Sequence, residues 1–282
     1  MSDMIDLIQR ILDNGHGYVV TDADGKPTGN VYFDVASWPH YGELTHQKQT
    51  SEVDEAAAVA DRMGPSVDAT GADKYNPVDP ADASPDKHDP RDFALWKAPK
   101  DTDPEDARWS TPFGVGRPGW HIECSAMSHR YLGDGFDIHG GGLDLRFPHH
   151  ENEIAQTEAL TGKRFAKYWT HNGLIKVNGQ KMSKSLGNSL LLSDLLDRYS
   201  EESLKFALLS NNYRNDVNVT DDLFPAAERH LADFYRVFLE AEQAGLCPEG
   251  GNEAIDAAFD AAMDDDFNTA RALSDLFGYF KE

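Results

Sequence analysis

Two lysines three residues apart, Lys181 and Lys184, stand in a short polar segment directly after an Asn-Gly pair at 178–179. Two ammonium groups on such a segment could hold a polyphosphate and stabilise the negative charge that develops as pyrophosphate leaves. As composition alone the pattern is weak, because a Lys/Ser segment is usually a solvated turn. Phosphate binding and a solvated turn therefore both remain open at this point.

Three further residues have the types and spacing of a metal site. Glu153 follows His149 by four residues, so on a helix the imidazole and the carboxylate share one face. With the thiolate of Cys124 they make a ligand set that Zn²⁺ accepts, and three protein ligands leave a fourth position. By spacing alone a lone buried cysteine and a polar helix start are the commoner interpretation, since no Cys-x-x-Cys pair is present.

Three longer runs carry a family resemblance. The runs Gly-Arg-Pro-Gly-Trp-His-Ile-Glu-Cys-Ser-Ala-Met at 116–127 and Phe-Asp-Ile-His-Gly-Gly-Gly-Leu-Asp-Leu-Arg-Phe-Pro-His-His-Glu-Asn-Glu-Ile-Ala-Gln at 136–156 resemble signatures of cysteinyl-tRNA synthetases. The run Lys-Met-Ser-Lys-Ser-Leu-Gly-Asn at 181–188 resembles the signature loop of class I aminoacyl-tRNA synthetases, whose lysines hold the phosphates of ATP. The runs follow the family's order, and the similarity extends more loosely from Ile5 to the end of the chain.

The resemblance implies a zinc ion that binds the thiol of the substrate cysteine. Its ligands on matching positions are Cys124, His149 and Glu153, and the family's remaining ligand is a cysteine upstream of this region. Cysteine and serine differ by one atom, which a hydrophobic pocket discriminates poorly. Zinc binds soft thiolate far better than a neutral hydroxyl, so coordination alone can select cysteine.

The resemblance also implies that His139 borders the cysteine and adenylate pocket, and that Lys184 and Lys181 hold the phosphates of ATP, which Mg²⁺ accompanies. From the residues themselves we expect Gly141 to let the backbone approach the nucleotide, Trp120 to close over the substrate cysteine and Asp144 to meet its ammonium group. From position alone each of these residues other than the lysines has an ordinary alternative, namely a structural histidine, a glycine loop, a core tryptophan and a surface aspartate.

The elements that position these residues can be read from the periodicity. The pattern predicts a helix at 2–14, a hairpin around Asp24-Gly25, and a flexible acidic insertion at 50–92. From 109 to 188 the order is helix (120–131), strand (136–139), glycine loop (140–142), helix (148–160) and strand (174–177). Such alternation favours an α/β layer with a parallel sheet, and the pattern beyond 189 is helical.

The fold class expected from the resemblance is α/β: the second half of a class I Rossmann-type catalytic domain with a connective insertion, followed by an all-α region. The connective region spans 1–108, the catalytic half 109–190, a stem-contact-like helical segment 191–220, and the start of a C-terminal helical bundle 221–282. No His-Ile-Gly-His-like run is present and no cysteine precedes Cys124. We therefore expect a chain that begins after the first nucleotide-binding half, ends inside the helical region, and is inactive alone.

The composition is strongly acidic. Lys and Arg total 26 against 49 Asp and Glu, a net charge of −23. A tRNA-binding protein is expected to present a basic face, so bulk charge alone argues against nucleic acid. We interpret the acidity as a hydrated surface of the kind found at high salt, where net repulsion fades and local basic contacts persist. Two widely separated cysteines, no membrane-length apolar run and an acidic N-terminus favour a cytoplasmic protein.

The reaction implied by the resemblance has two steps. L-cysteine attacks the α-phosphate of ATP to give cysteinyl-adenylate and pyrophosphate, and the terminal ribose of tRNA-Cys then takes the cysteinyl group. The partners are ATP, L-cysteine and tRNA-Cys, and the full-length form is expected to be monomeric. Two alternatives remain: a cysteine ligase that transfers to an amino sugar, as in mycothiol synthesis, and a non-catalytic zinc-binding or interaction fragment.

Overall fold

The computed structural model describes residues 1–46, 84–182, 186–246 and 250–280. The chain divides into two compact units, Met1–Thr170 and His171–Glu282. Most of the predicted acidic insertion falls in 47–83 and lies outside the described residues. The same is true of Lys184 and Cys247.

The first unit combines helices with a five-stranded sheet. Its elements in chain order are α1 (Ser2–Asp13), β1 (Gly17–Thr21), β2 (Pro27–Phe33), β3 (Phe93–Lys97), β4 (Trp109–Thr111), β5 (Gly114–Pro118), α2 (Trp120–Tyr131), β6 (Phe136–Gly142), α3 (Glu151–Thr161) and the greater part of β7 (Ala166–Asn172). The large sheet has the order β1-β2-β3-β5-β4, and β6 pairs with β7 in a separate two-stranded sheet. The predicted hairpin is present as the antiparallel pair of β1 and β2, and the predicted helix at 120–131 is α2.

One hydrophobic core joins α1, the five-stranded sheet, α2 and α3. Its buried apolar residues are Leu7, Ile8, Ile11, Val31, Phe33, Val35, Phe93, Leu95, Trp96, Phe113, Ile122, Ala126, Ala155, Ala159 and Leu160. Each large side chain among them contributes about 1.5–3 kcal/mol by leaving water. Because α2 and α3 each pack one face into this core, the position of the two helices relative to each other is fixed.

The predicted parallel sheet is present only in part. The described pairings of the five-stranded sheet are antiparallel, including β4 with β5, where Thr111 lies opposite Gly114. A turn that short can join only antiparallel strands, because a parallel pair needs a long crossover. Parallel pairing occurs in the second unit, between the strands Ile175–Val177 and Val217–Val219.

The second unit carries short strands followed by helices. Its elements are β8 (Ile175–Val177), β9 (Gln180–Lys181), α4 (Leu192–Leu196), α5 (Glu201–Leu209), β10 (Val217–Val219), α6 (Leu223–Gln243), α7 (Glu253–Met263) and α8 (Thr269–Tyr279). A small core packs α5 against β10 and α6 through Leu204, Phe206, Ala207, Val219, Phe224 and Ala227. The helical pattern predicted beyond residue 189 is thus found. None of the described helices is both long enough and apolar enough to cross a membrane.

Candidate metal centre

A glycine places the start of α2 directly against the sheet. The N–H of Gly119 donates to the carbonyl of Leu95 at 2.9 Å, and a Cβ at this position would overlap the carbonyl oxygen of Ala94. Only glycine permits so close an approach of backbone to strand β3. The first turn of α2, with Trp120, His121 and then Cys124, is thereby tied to the core.

The chain enters α3 through a wide turn rather than a regular helix. Phe147 is extended, with φ −135° and ψ 139°, as expected for the residue before a proline, and the Phe147–Pro148 peptide bond is cis. The regular helix begins at Glu151, so the helix predicted from residue 148 starts three residues later. His149 nevertheless stays close to Glu153, with Nε2 3.7 Å from Oε2.

The structure brings Cys124, His149 and Glu153 together. Their ligand atoms all lie within 4.8 Å of one another. His149 is 5% exposed and Glu153 is fully buried, whereas Cys124 is half-buried. One thiol, one imidazole and one carboxylate, contributed by α2 and by the region that begins α3, make a donor set that a zinc ion accepts.

A buried oxygen of Glu153 points to the same conclusion. Its Oε1 has no hydrogen-bond partner among the described residues, although the atom is shielded from solvent. A buried carboxylate oxygen without a partner is costly, and a bound cation would satisfy it. The residues present therefore fit a metal ion.

Further histidines hold the candidate ligands in place. Nδ1 of His121 lies 3.0 Å from Nδ1 of His149, which leaves Nε2 of His149 on the side of Glu153. Nε2 of His139 lies 3.1 Å from Oε2 of Glu153. His139, His150 and Glu153 form a second group of ligand atoms within 4.8 Å of one another. Outer contacts of this kind orient metal ligands and fix their tautomers.

Burial sets the protonation of the metal-free site. Desolvation, with added repulsion from Glu153 and Glu123, raises the pKa of Cys124 to about 11. Desolvation lowers the pKa of His149, and the attraction of Glu153 opposes that shift. At neutral pH the thiol is therefore protonated and the imidazole is neutral, so a metal ion must displace a proton from the cysteine.

The residues predicted to line the amino-acid pocket occupy different surroundings. Trp120 is 52% exposed, and its ring stacks on His149 with centroids 4.5 Å apart and an interplanar angle of 24°. The alternative of a core tryptophan is wrong. Asp144 is exposed in the short turn Leu143–Leu145 that follows β6, and it belongs to neither group of ligand atoms.

Gly141 lies in strand β6, so the loop predicted at 140–142 is wrong. A Cβ on Gly141 would come within 3.1 Å of Cε1 of His150, and one on Gly140 would overlap Thr170 of β7. The extended backbone persists because it pairs with β7. The small size of these glycines lets the strand approach its neighbours closely.

The two predicted phosphate-binding lysines are described only in part. Lys181 ends strand β9, and its backbone lies opposite Lys176 of β8. The turn between the strands has Asn178 at φ 49° and Gly179 at φ 82°, as the Asn-Gly pair predicts. Lys184 lies outside the described residues.

Sequence reasoning missed two histidines of the cluster. His121 precedes Cys124 by three residues on α2, and His150 precedes Glu153 by three, so helical spacing offered a signal for each. His121 is 5% exposed and His150 is 2% exposed. Their approach to residues of other elements could be found only from the packing.

Comparisons with known proteins place the chain among tRNA synthetases. The family described as tRNA synthetases class I (C) catalytic domain matches residues 1–229, and the family described as DALR domain matches residues 258–282. A cysteine–tRNA ligase of Bifidobacterium longum (strain NCC 2705) is 68% identical over 98% of this chain and 52% of its own length. A cysteine–tRNA ligase of Thermodesulfovibrio yellowstonii is 42% identical over 100% of this chain and 54% of its own length. The chain thus spans about half the length of the curated relatives it matches.

A solved structure supports the fold alone. The Mycobacterium tuberculosis methionyl-tRNA synthetase in complex with methionyl-adenylate superposes with a TM-score of 0.50 at 14% identity. The superposition covers 99% of this chain and 60% of that chain.

Proposed function

This chain belongs to the family of class I (C) tRNA synthetase catalytic domains, and from that premise we propose that it carries the amino-acid-selecting site of a cysteine–tRNA ligase. The whole enzyme would join L-cysteine to ATP as cysteinyl-adenylate and transfer the cysteinyl group to tRNA-Cys. The observation that supports the proposal best is that ligand atoms of Cys124, His149 and Glu153 lie within 4.8 Å of one another, while Oε1 of the buried Glu153 has no hydrogen-bond partner among the described residues. Such a set of ligands suits a site that selects a thiol, and a cysteine-activating enzyme of this family needs a site of that kind.

Zinc is the metal that we propose for Cys124, His149 and Glu153. When bound, it would supply a preference for the thiolate of cysteine over the neutral hydroxyl of serine. A hydrophobic pocket separates such near-isosteres by only about 10–200-fold, so a coordinating site is the stronger selector.

The residues around the ligands would orient them. His121 holds Nδ1 of His149, which directs Nε2 toward Glu153, and His139 holds Oε2 of Glu153. Trp120, half exposed and stacked on His149, would present an apolar surface to the substrate side chain and restrict water. Positioning of this kind reduces the entropy that must be lost before reaction.

Lys181 and Lys184 are proposed to hold the polyphosphate of ATP, which arrives with Mg²⁺. Their charges would stabilise pyrophosphate as it departs. The net charge of −23 means that tRNA contacts would depend on local basic residues and would be sensitive to salt. His139 and Gly141 are proposed to border the adenylate, with Asp144 near the substrate ammonium.

Zinc content and amino-acid binding test the metal site directly. The purified chain is titrated with Zn²⁺ against a chelator, and the zinc-loaded chain is then titrated with L-cysteine and L-serine. We expect uptake of zinc and binding of cysteine at least about 1,000-fold tighter than binding of serine, beyond the roughly 200-fold that an apolar pocket supplies. Equal affinity for the two amino acids would contradict the proposal.

The second cysteine of the chain offers a matched control. Cys124→Ser is expected to lose zinc and cysteine binding together, whereas Cys247→Ser is expected to keep both. Retention of zinc by the Cys124→Ser variant would remove this residue from the site.

Acceptor specificity is tested with the whole enzyme. Cysteine-dependent exchange between ATP and pyrophosphate is expected, followed by transfer to tRNA-Cys. We expect no exchange from the 282-residue chain by itself, because it spans about half the length of its relatives. Transfer of cysteine to an amino sugar but never to tRNA would favour the alternative ligase.

A further inference from the structure

A second buried carboxylate stands beside the candidate metal ligands. Glu151 is the first residue of α3, two positions from both His149 and Glu153, and is 1% exposed. Among the ion pairs of the described residues, none involves Glu151. A buried carboxylate must instead be stabilised by hydrogen-bond donors.

Those donors all come from one short segment. Oε1 of Glu151 accepts the N–H of Gly42 at 2.7 Å. Oε2 accepts both the N–H of Thr45, at 3.0 Å, and its hydroxyl, at 2.8 Å. Charge-assisted hydrogen bonds of this kind are roughly twice as strong as neutral ones. The carboxylate therefore ties the segment 41–45 to the first turn of α3.

The next residue of α3 makes a second tie to the same segment. Oδ1 of Asn152 accepts the hydroxyl of Tyr41 at 2.7 Å, and Asn152 is 1% exposed. The ring of Tyr41 in turn stacks on Phe93 of β3, with centroids 6.2 Å apart. The beginning of α3 is thus linked through the segment 41–45 to the five-stranded sheet.

Glu151 and Glu153 differ in a way that separates their roles. Both oxygens of Glu151 accept hydrogen bonds, which leaves this side chain committed to the segment. Glu153 keeps its Oε1 without a partner among the described residues and lies among the ligand atoms. The wide turn before α3 contains the non-helical residue Phe147, so it is not held by regular helical hydrogen bonds. Contacts with other segments must therefore fix the position at which the turn ends and α3 begins.

We propose that Glu151 is a positioning residue for the metal centre: with the segment 41–45 it fixes the first turn of α3 so that His149 and Glu153 face Cys124. The inference rests on the proposed metal-dependent function, since it assigns the group that holds two of the three ligands. Among the described residues Glu151 belongs to neither group of ligand atoms, and it acts through the backbone that joins His149 to Glu153.

The test compares two isosteric substitutions on the same helix. Glu151→Gln replaces one accepting oxygen with an NH₂ group. This group cannot accept a hydrogen bond and would face an N–H donor of the segment 41–45. Glu158→Gln makes the same change two turns further along, where the carboxylate accepts the N–H of Phe165 at 2.9 Å. Zinc affinity of the chain is measured against a chelator, and the site is also loaded with Co²⁺, whose absorption bands report ligand geometry.

We expect Glu151→Gln to weaken zinc binding by about 10–100-fold and to shift the Co²⁺ bands, as changes around metal ligands do. Glu158→Gln is expected to alter zinc affinity by less than about twofold, since Glu158 lies outside the set of residues that surround the metal ligands. Unchanged zinc affinity and an unchanged spectrum in Glu151→Gln, with only a lower unfolding midpoint, would overturn the inference and leave a purely structural carboxylate.

A metal-free readout separates this inference from the proposed function. The ring nitrogen resonances of His149 in metal-free protein should move in Glu151→Gln and stay in place in Glu158→Gln. If they stay in place in both variants, the inference fails whatever the zinc content. A wild-type chain that takes up no zinc contradicts the proposed function and is recognised from that titration alone.

A milder variant covers the case in which Glu151→Gln does not fold. Thr45→Val removes one hydroxyl donor and keeps the carboxylate and both backbone donors. We expect severalfold weaker zinc binding and a smaller movement of the His149 resonances. No change in either readout would likewise overturn the assignment.

Discussion

The Nδ1 atoms of His121 and His149 lie 3.0 Å apart, and both side chains are 5% exposed. At that distance one ring must donate and the other accept, so the two rings have complementary protonation at Nδ1. The contact joins α2, which bears Cys124, to the turn that precedes α3. It therefore couples the positions of the candidate ligands across two elements.

Loss of this contact should weaken metal binding. His121→Phe keeps a ring of similar size in the buried position but removes the hydrogen bond to His149. We expect zinc affinity to fall by about tenfold, the lower end of the range for outer contacts of metal ligands. The measurement is competition with a chelator.

A histidine on the same helix provides the control for that change. His129 bonds Asp134 at 2.6 Å near the end of α2 and belongs to neither group of ligand atoms. His129→Phe should leave zinc affinity unaltered. An equal loss in the two variants would mean that the effect comes from the helix rather than from the His121 contact.

Zinc binding should release about one proton at neutral pH. The pKa of Cys124 is raised to about 11, chiefly by burial, so the thiol is protonated in the metal-free protein and must ionise to bind. Because the pKa of His149 is lowered, its ring is already neutral and adds no proton. Apparent zinc affinity should therefore rise with pH, about tenfold per unit, up to the pKa of the thiol.

Calorimetry in buffers of different ionisation enthalpy measures that proton. The Cys247→Ser variant, which keeps Cys124, should release the same proton as the wild-type chain. Zinc binding by the wild-type chain with no buffer dependence of its heat would exclude Cys124 as an ionising ligand.

Gly119→Ala should destabilise the first unit. The added methyl group would overlap the carbonyl oxygen of Ala94 and force α2 away from β3. Overpacking of this kind costs about 1–3 kcal/mol in the free energy of unfolding. Denaturant unfolding followed by circular dichroism measures the change.

A glycine in open surroundings should respond in the opposite direction. Gly278 lies in α8 with a φ outside the left-handed region, and a methyl group added there would meet none of the described residues within 4 Å beyond its own helix backbone and chain neighbours. Gly278→Ala should stabilise the helix by about 0.5–1 kcal/mol, because alanine loses less backbone entropy. Destabilisation in both variants would mean that the collision at Gly119 is not the cause.

Molar KCl should stabilise the folded chain. The excess of 49 acidic over 26 basic side chains gives a net charge of −23 whose self-repulsion opposes compaction. At 1 M salt the Debye length falls to about 3 Å, which screens that repulsion. The thermal unfolding midpoint is therefore expected to rise between about 0.1 M and about 1 M KCl. A midpoint that falls would contradict the high-salt interpretation of the acidity.

Local elements and donor types could be predicted from the order of residues alone. The helix at 120–131 and the hairpin around Asp24-Gly25 follow from periodicity and turn residues, which act over a few neighbours. The choice of Cys124, His149 and Glu153 came from the resemblance together with the helical spacing of the last two. Family membership likewise depended only on the order of residues along the chain.

Contacts between side chains of different elements became visible only in the folded chain. The contact of His121 with His149 joins residues of separate elements, and the ties from Gly42 and Thr45 to Glu151 cross more than 100 positions. Neither has a periodic signature, because such contacts depend on how α2, α3 and the sheet share one core. The same packing moved the start of α3 to Glu151 and kept residues 140–142 extended against β7, where local preference alone had predicted a helix turn and a loop.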